Sequence, residues 1–186
     1  MPFTRTEFPG LLIFEPLVFE DERGFFFESY NEKIFHQNKI DCEFIQDNQS
    51  FSRYGVIRGL HYQLEPFAQS KLVRAITGTV LDVVVDIRKG SPTYGMNFSV
   101  ELSANNKKQL FIPKGFAHGF SVLSETAEIL YKCDNFYNKQ SESGIKFNDP
   151  FLKIDWKITP GQTIVSSKDR ELPLFADSKS NFEFTG

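Results

Sequence analysis

In the segment YGMNFSVELS, apolar and polar residues alternate one by one. Met96, Phe98, Val100 and Leu102 fall on one face, and Asn97, Ser99, Glu101 and Ser103 on the other. A side-chain period of two marks a strand with one buried face. The pattern recurs in ETAEILYKC, where Ala127, Ile129, Tyr131 and Cys133 share a face opposite Glu128, Leu130 and Lys132. KLVRAITGTVLDVVVDIRKG reads as two strands joined at Thr77-Gly78, with Lys71 on the face of Val73 and Ala75. Asn105-Asn106 supplies a turn before a further strand in QLFIP. Many short strands punctuated by Gly, Pro and Asn predict a mainly β chain, a sandwich or small barrel.

Helix is expected only in short pieces. Ser29 to Ile40 is the best candidate, with Asn31 as N-cap and Ile34, Phe35 and Ile40 as its apolar contacts. SSKDRELPLFADS has room for another turn or two, stopped by Pro173. The 186 residues suit one domain over residues 1–186. The 21 phenylalanines are enough to fill a wide core and to leave some for an interface.

Charge and composition exclude several classes. The net charge is −3, and the 21 Lys and Arg are scattered, so no basic stripe points to nucleic acid. Cys42 and Cys133 are too few and too far apart for a disulfide framework, which suits reduced thiols and a cytoplasmic location. Pro2, Glu7, Pro9 and Glu15 interrupt any signal-peptide core, and no apolar run is long enough to span a membrane.

Two segments resemble the signatures of cupins, which are double-stranded β-helix (jelly-roll) barrels. FIPKGFAHGF carries Pro113, Gly115 and His118 in the spacing of the second cupin motif. GVIRGLHYQ supplies Gly55 and His61 of the first, but Gln63 stands where the second histidine belongs. Phe67 and Ala68 occupy the place of the carboxylate ligand. Two imidazoles and an amide make a poor divalent site, because an anionic donor is missing. The expectation is therefore a cupin-type barrel, with a few short helices, that holds no metal.

Strand parity sends Lys71 and Tyr131 to the side on which His61 should lie, and Arg58 precedes that histidine by three residues. A buried lysine is rare unless it has a partner or a task. A histidine, a lysine, a tyrosine and an arginine around one cavity suit an anionic intermediate better than a packing core.

The segments FEDERGFFFESY, QDNQS, GVIRGLHYQ, KLVRAITGTVLDVVVDIR, IPKGFAHGFSVLS, YKCDNFYN, GIKFNDP and SSKD together resemble the dTDP-4-dehydrorhamnose 3,5-epimerase family. The resemblance covers nearly the whole chain. It implies cofactor-independent epimerisation of a nucleotide-linked 4-keto-6-deoxy sugar, a step towards L-rhamnose for cell-surface glycans. It further implies His61 as base, Asp169 as the carboxylate orienting it, Tyr131 as the opposite-face acid, and Lys71, with His118, beside the enolate oxygen. Gln46, Asp47, Asn48 and Arg58 match the nucleotide and diphosphate positions, Tyr137 the aromatic stacked on the base, and Glu142 and Lys168 the rest of the binding set. Arg23, Phe26 and Glu28 resemble residues lent to a neighbouring subunit's site in a homodimer. Lys146, Phe147 and Ser143 depart from the arginine, tryptophan and arginine common in the family, which touches the nucleotide rim rather than the chemistry. A related enzyme inverting one carbon only, or acting on another 4-keto sugar, remains the alternative; Tyr131 favours action at both carbons.

Overall fold

The computed structural model describes residues 2–186. In chain order its elements are β1 (Phe3–Arg5), β2 (Leu12–Phe14), β3 (Phe19–Asp21), β4 (Gly24–Phe26), α1 (Glu32–Gln37), β5 (Gln46–Arg53) and β6 (Val56–Gln63). There follow β7 (Lys71–Thr77), β8 (Thr79–Asp86), β9 (Asn97–Ser103), β10 (Gln109–Ile112), β11 (Phe116–Val122) and β12 (Thr126–Cys133). The chain ends with β13 (Glu142–Gly144), β14 (Ile164–Val165), α2 (Ser167–Arg170) and a 3₁₀ turn at Phe175–Asp177. Two sheets dominate, in the orders β1-β2-β10-β7-β12-β5 and β13-β6-β11-β8-β9, with β14 parallel to β6. Neighbours distant in sequence alternate between the sheets, as expected for a jelly roll. No helix among the described residues is long and apolar enough to cross a membrane.

The alternation seen in the sequence builds the space between the sheets. Val73 and Ala75 of β7, Ala127 and Ile129 of β12, Leu102 of β9 and Leu110 and Ile112 of β10 meet Val80, Val84, Phe116, Phe120 and Val122 there. Strand β8 is buried on both faces, because Leu81, Val83 and Val85 pack outward against Leu152, Trp156 and Phe182 of the C-terminal segment. The other sheet is covered in part by α1, whose Phe35 packs with Phe14, Leu72 and Phe111. Asn31 caps α1 as predicted, its side chain accepting from the Ile34 N–H. Met96 departs from its predicted face: it lies in the turn before β9 and is half exposed. Helix α2 ends at Arg170, before Pro173, and the 3₁₀ turn follows beyond it.

Candidate active site

A cavity of about 530 Å³ opens between the sheets, and His61, Lys71, His118, Tyr131, Arg58, Tyr137, Glu142 and Asp169 all line it. The strands explain how they meet. His61 of β6 and His118 of β11 are register partners, and Arg58 is paired with Phe120, so two residues of β6 oppose the single Gly119. That bulge adds one residue to the strand. Arg58 and His61, three apart, would otherwise face opposite sides; the extra residue turns both inward. Gly59 makes the bulge possible. Its φ is +116°, and a Cβ there would sit 2.6 Å from the His118 carbonyl oxygen.

His61 Nε2 lies 2.8 Å from Asp169 Oδ1. A carboxylate can only accept, so Nε2 is the donor, and in a neutral imidazole held this way the other ring nitrogen has the free lone pair. Asp169 is 4% exposed, and its second oxygen accepts from the Gly59 N–H at 3.2 Å. Burial alone would raise this carboxyl, but the hydrogen bond and charge of His61, with the Gly59 N–H and Ser166, outweigh it and hold it below the usual range. Asp169 is not the cap of α2. Ser166 holds that place, accepting from the Asp169 N–H at 3.0 Å, which leaves the Asp169 carboxylate for the histidine.

His118 has a carboxylate of its own. Its Nε2 lies 3.0 Å from each oxygen of Asp82, a residue of β8 with no exposure at all. Sequence reasoning missed Asp82. Its one signal was an acidic residue set among the valines of β8, where burial on both faces hides which way a side chain points.

Lys71 Nζ sits 5.8 Å from the centre of the Tyr131 ring. Burial pushes the Lys71 ammonium below the ordinary lysine value, against the opposing influence of Cys133, Asp82 and Glu142. Burial likewise raises the Tyr131 phenol, Cys133 adding to the shift and Arg58 opposing it, so it is a protonated donor near neutrality. Deeper polar groups thus border one side of the cavity. At its mouth the Tyr137 hydroxyl donates to Glu142 Oε2 at 2.9 Å, and Lys168 Nζ donates to Glu142 Oε1 at 2.7 Å. Arg58 Nε donates to Ser52 Oγ at 3.0 Å, which aims its guanidinium along β5.

Other predicted residues lie elsewhere. Gln46 and Asn48 share the inner face of β5, joined by a 3.1 Å hydrogen bond, but Asp47 between them faces outward. The period of two turns its carboxylate away from the cavity, where Lys132 binds it at 3.0 Å. Any part Asp47 takes at the nucleotide therefore falls to its backbone, between Gln46 and Asn48, and not to a carboxylate turned into this cavity. Arg23, Phe26 and Glu28 also lie outside this chain's own cavity. Arg23 sits in the exposed β3–β4 hairpin, paired with Asp21 at 2.5 Å, and Glu28 accepts from Asn31 Nδ2 at 3.2 Å. Among the described residues no three His, Cys, Asp or Glu side chains converge as metal ligands.

Fold and site together define a cupin-type barrel whose cavity gathers a histidine bound to a carboxylate, a lysine and a tyrosine, side chains of the kinds that proton-transfer chemistry uses. The sequence profile of dTDP-4-dehydrorhamnose 3,5-epimerase matches residues 5–177. The dTDP-4-dehydrorhamnose 3,5-epimerase of Shigella flexneri is 54% identical over 96% of this chain and 98% of its own. The crystal structure of the enzyme of that name from Elizabethkingia anophelis superposes with a TM-score of 0.90, at 53% identity, covering 94% of this chain and 96% of its own. That of RmlC from Legionella pneumophila, in complex with dTDP-4-keto-L-rhamnose, does so with a TM-score of 0.89 at 48% identity, covering 92% of this chain and 91% of its own. The chain belongs to the dTDP-4-dehydrorhamnose 3,5-epimerase family.

Proposed function

We propose that this chain converts dTDP-4-keto-6-deoxy-D-glucose to dTDP-4-keto-L-rhamnose by inverting C3 and C5, with proton transfers made by its own side chains and no metal or other cofactor. The observation that carries the assignment is the His61–Asp169 pair in one cavity with Lys71 and Tyr131. The C4 ketone acidifies the hydrogens on both neighbouring carbons. The free ring nitrogen of His61 takes a proton from C3 or C5; the C–H electron pair becomes a double bond to C4, and the carbonyl π pair moves onto O4 as the enolate. Lys71, with His118 beside it, stabilises that oxygen; such stabilisation is worth about 2.7–4 kcal/mol in comparable sites. Tyr131 then returns a proton to the opposite face, which inverts the carbon. Each cycle consumes one proton from Tyr131 and leaves one on His61, so exchange with solvent resets both.

Arg58 serves the diphosphate, for which a guanidinium fork is suited. Tyr137 stacks on the nucleobase, Gln46 and Asn48 contact the nucleoside, and Glu142 and Lys168 close the mouth. Incubation with dTDP-4-keto-6-deoxyglucose in heavy water tests the whole assignment. Deuterium should enter at C3 and at C5, unaffected by a chelator. Label at one carbon only would favour the single-carbon alternative, and activity lost to the chelator and restored by iron or zinc would overturn the metal-free mechanism.

The working form proposed is a homodimer in which the Arg23–Glu28 segment of each copy completes the other's site. In support, β3 and β4 are exposed along their whole length, and Phe19, Phe25 and Phe26 stand open to solvent on them. An isolated two-stranded hairpin is marginal without a surface to lie on. Mixing an inactive Arg23→Ala variant with an inactive His61→Ala variant, under subunit exchange, should restore about a quarter of normal activity, since half the dimers carry one intact site. No recovery would reject the shared site. The proposed location is the cytoplasm, in keeping with the two free cysteines, Cys42 and Cys133.

A further inference from the structure

Gln63 occupies the position where a metal cupin has its second histidine, and the structure assigns it another task. We propose that Gln63 is a positioning residue that fixes the backbone of Tyr137, and so presets the aromatic surface on which the nucleobase stacks. The inference rests on the stacking reading given above and names the group that makes the stacking surface rigid.

Residues 134–141 cross from β12, in one sheet, to β13, in the other. Tyr137 lies in the middle of that crossing, half exposed at the cavity mouth. Two glutamines hold its backbone, one from each sheet. Gln46 Oε1, on β5, accepts from the Tyr137 N–H at 3.1 Å. Gln63 Oε1, at the end of β6, accepts from the Asn138 N–H at 2.6 Å. The amino group of Gln63 donates to the Phe136 carbonyl at 3.2 Å and to the Phe67 carbonyl at 2.7 Å.

Gln63 is 5% exposed and spends two donors and one acceptor on backbone groups. Only a carboxamide fits this demand. An imidazole has two ring nitrogens and cannot donate twice while accepting once, and a carboxylate has no donors. The residue that replaces the metal ligand is therefore committed to the loop. The far end of the Tyr137 side chain is held as well, by Glu142, so the ring is ordered at both ends while staying open to solvent. A surface ordered before the ligand arrives loses less freedom on binding, which strengthens affinity rather than the chemical step.

The test is a double-mutant cycle read by calorimetric titration with dTDP, on wild type, Gln63→Met, Tyr137→Ala and the double variant. Gln63→Met should weaken dTDP about tenfold, the worth of one buried hydrogen bond. KM for the sugar nucleotide should rise in step, and kcat should fall by less than about twofold. In the Tyr137→Ala background the same change should weaken dTDP by less than about twofold. An undiminished effect there would mean general damage to the cavity and would overturn the proposal, as would no effect in the wild-type background. Amide hydrogen exchange provides a separate reading: Gln63→Met should speed exchange at Asn138, and unchanged protection would reject the positioning role. Unchanged dTDP affinity in Tyr137→Ala alone would instead defeat the stacking reading, with the loop's rigidity still visible in the exchange data.

Discussion

His61 and His118 face each other across neighbouring strands as register partners, yet each is tied to a different carboxylate, Asp169 and Asp82. The two imidazoles are thus fixed from opposite sides of the fold, one by the C-terminal helix and one by a central strand. Asp169→Asn tests the first tie. An amide can offer its NH₂ to the ring and so hold the wrong tautomer, and comparable changes in His–Asp pairs cost up to about 10⁴ in rate. Deuterium wash-in should fall by about 10²–10⁴ with the fold intact by circular dichroism. Wash-in within threefold of wild type would remove Asp169 from the mechanism.

Lys71 is predicted to trade stability for activity. Its ammonium is pushed below the ordinary lysine value, so in the folded state it sheds its proton more readily than in the unfolded chain. Stability should therefore rise with pH between the folded value and about 10.4. Activity should move the other way, because the cation is lost over the same range, and its alkaline limb should come in below that of an ordinary lysine. Lys71→Met should lose about 10²–10³ in kcat while its melting temperature rises by about 2–4 °C, as for about 1 kcal/mol gained in a chain of this size. A variant that melts lower would show that the charge is compensated in the fold.

Tyr131→Phe separates the two halves of inversion. The base is untouched, so hydrogen should still leave C3 or C5 at a rate within about tenfold of wild type, whereas inverted product should fall by about 10²–10⁴. Parallel loss of wash-in and inversion would place Tyr131 in the first step instead of the second.

Gly119→Ala probes the bulge from the opposite strand. The new Cβ would lie 2.6 Å from the Arg58 carbonyl oxygen and 3.2 Å from the Gly59 Cα, both backbone atoms that cannot swing aside. The expected cost is about 1–3 kcal/mol, typical of overpacking. Activity should fall further than stability, since β6 and β11 carry the two histidines. Denaturant titration and wash-in on the same sample check both, and a variant with full activity would show that the strands can separate without moving the site.

The legibility of the fold in the sequence followed the number of buried faces. Strand β12 buries one face, so its alternation placed Tyr131 correctly beside Ala127 and Ile129. Strand β8 buries both, and Asp82 was invisible there even though it holds His118. The same period of two, applied to QDNQS, turns the Asp47 side chain away from those of Gln46 and Asn48. Arg58 and His61 met for the opposite reason, because a bulge broke the period between them. The family was legible through the order of short segments, but Asp169 joins His61 across 108 positions and no local pattern could have paired them.

That separation divides the work of the chain. Apart from β14, the two sheets are complete by Gly144, but the carboxylate that selects the proton-bearing nitrogen of His61 belongs to α2, beyond them. The same late segment closes the cavity, since Ile164, Val165, Ser166 and Asp169 line it. The strands thus supply both imidazoles, and a short stretch far along the polypeptide, Ile164 to Asp169, supplies both a wall of their chamber and the group that orients one of them.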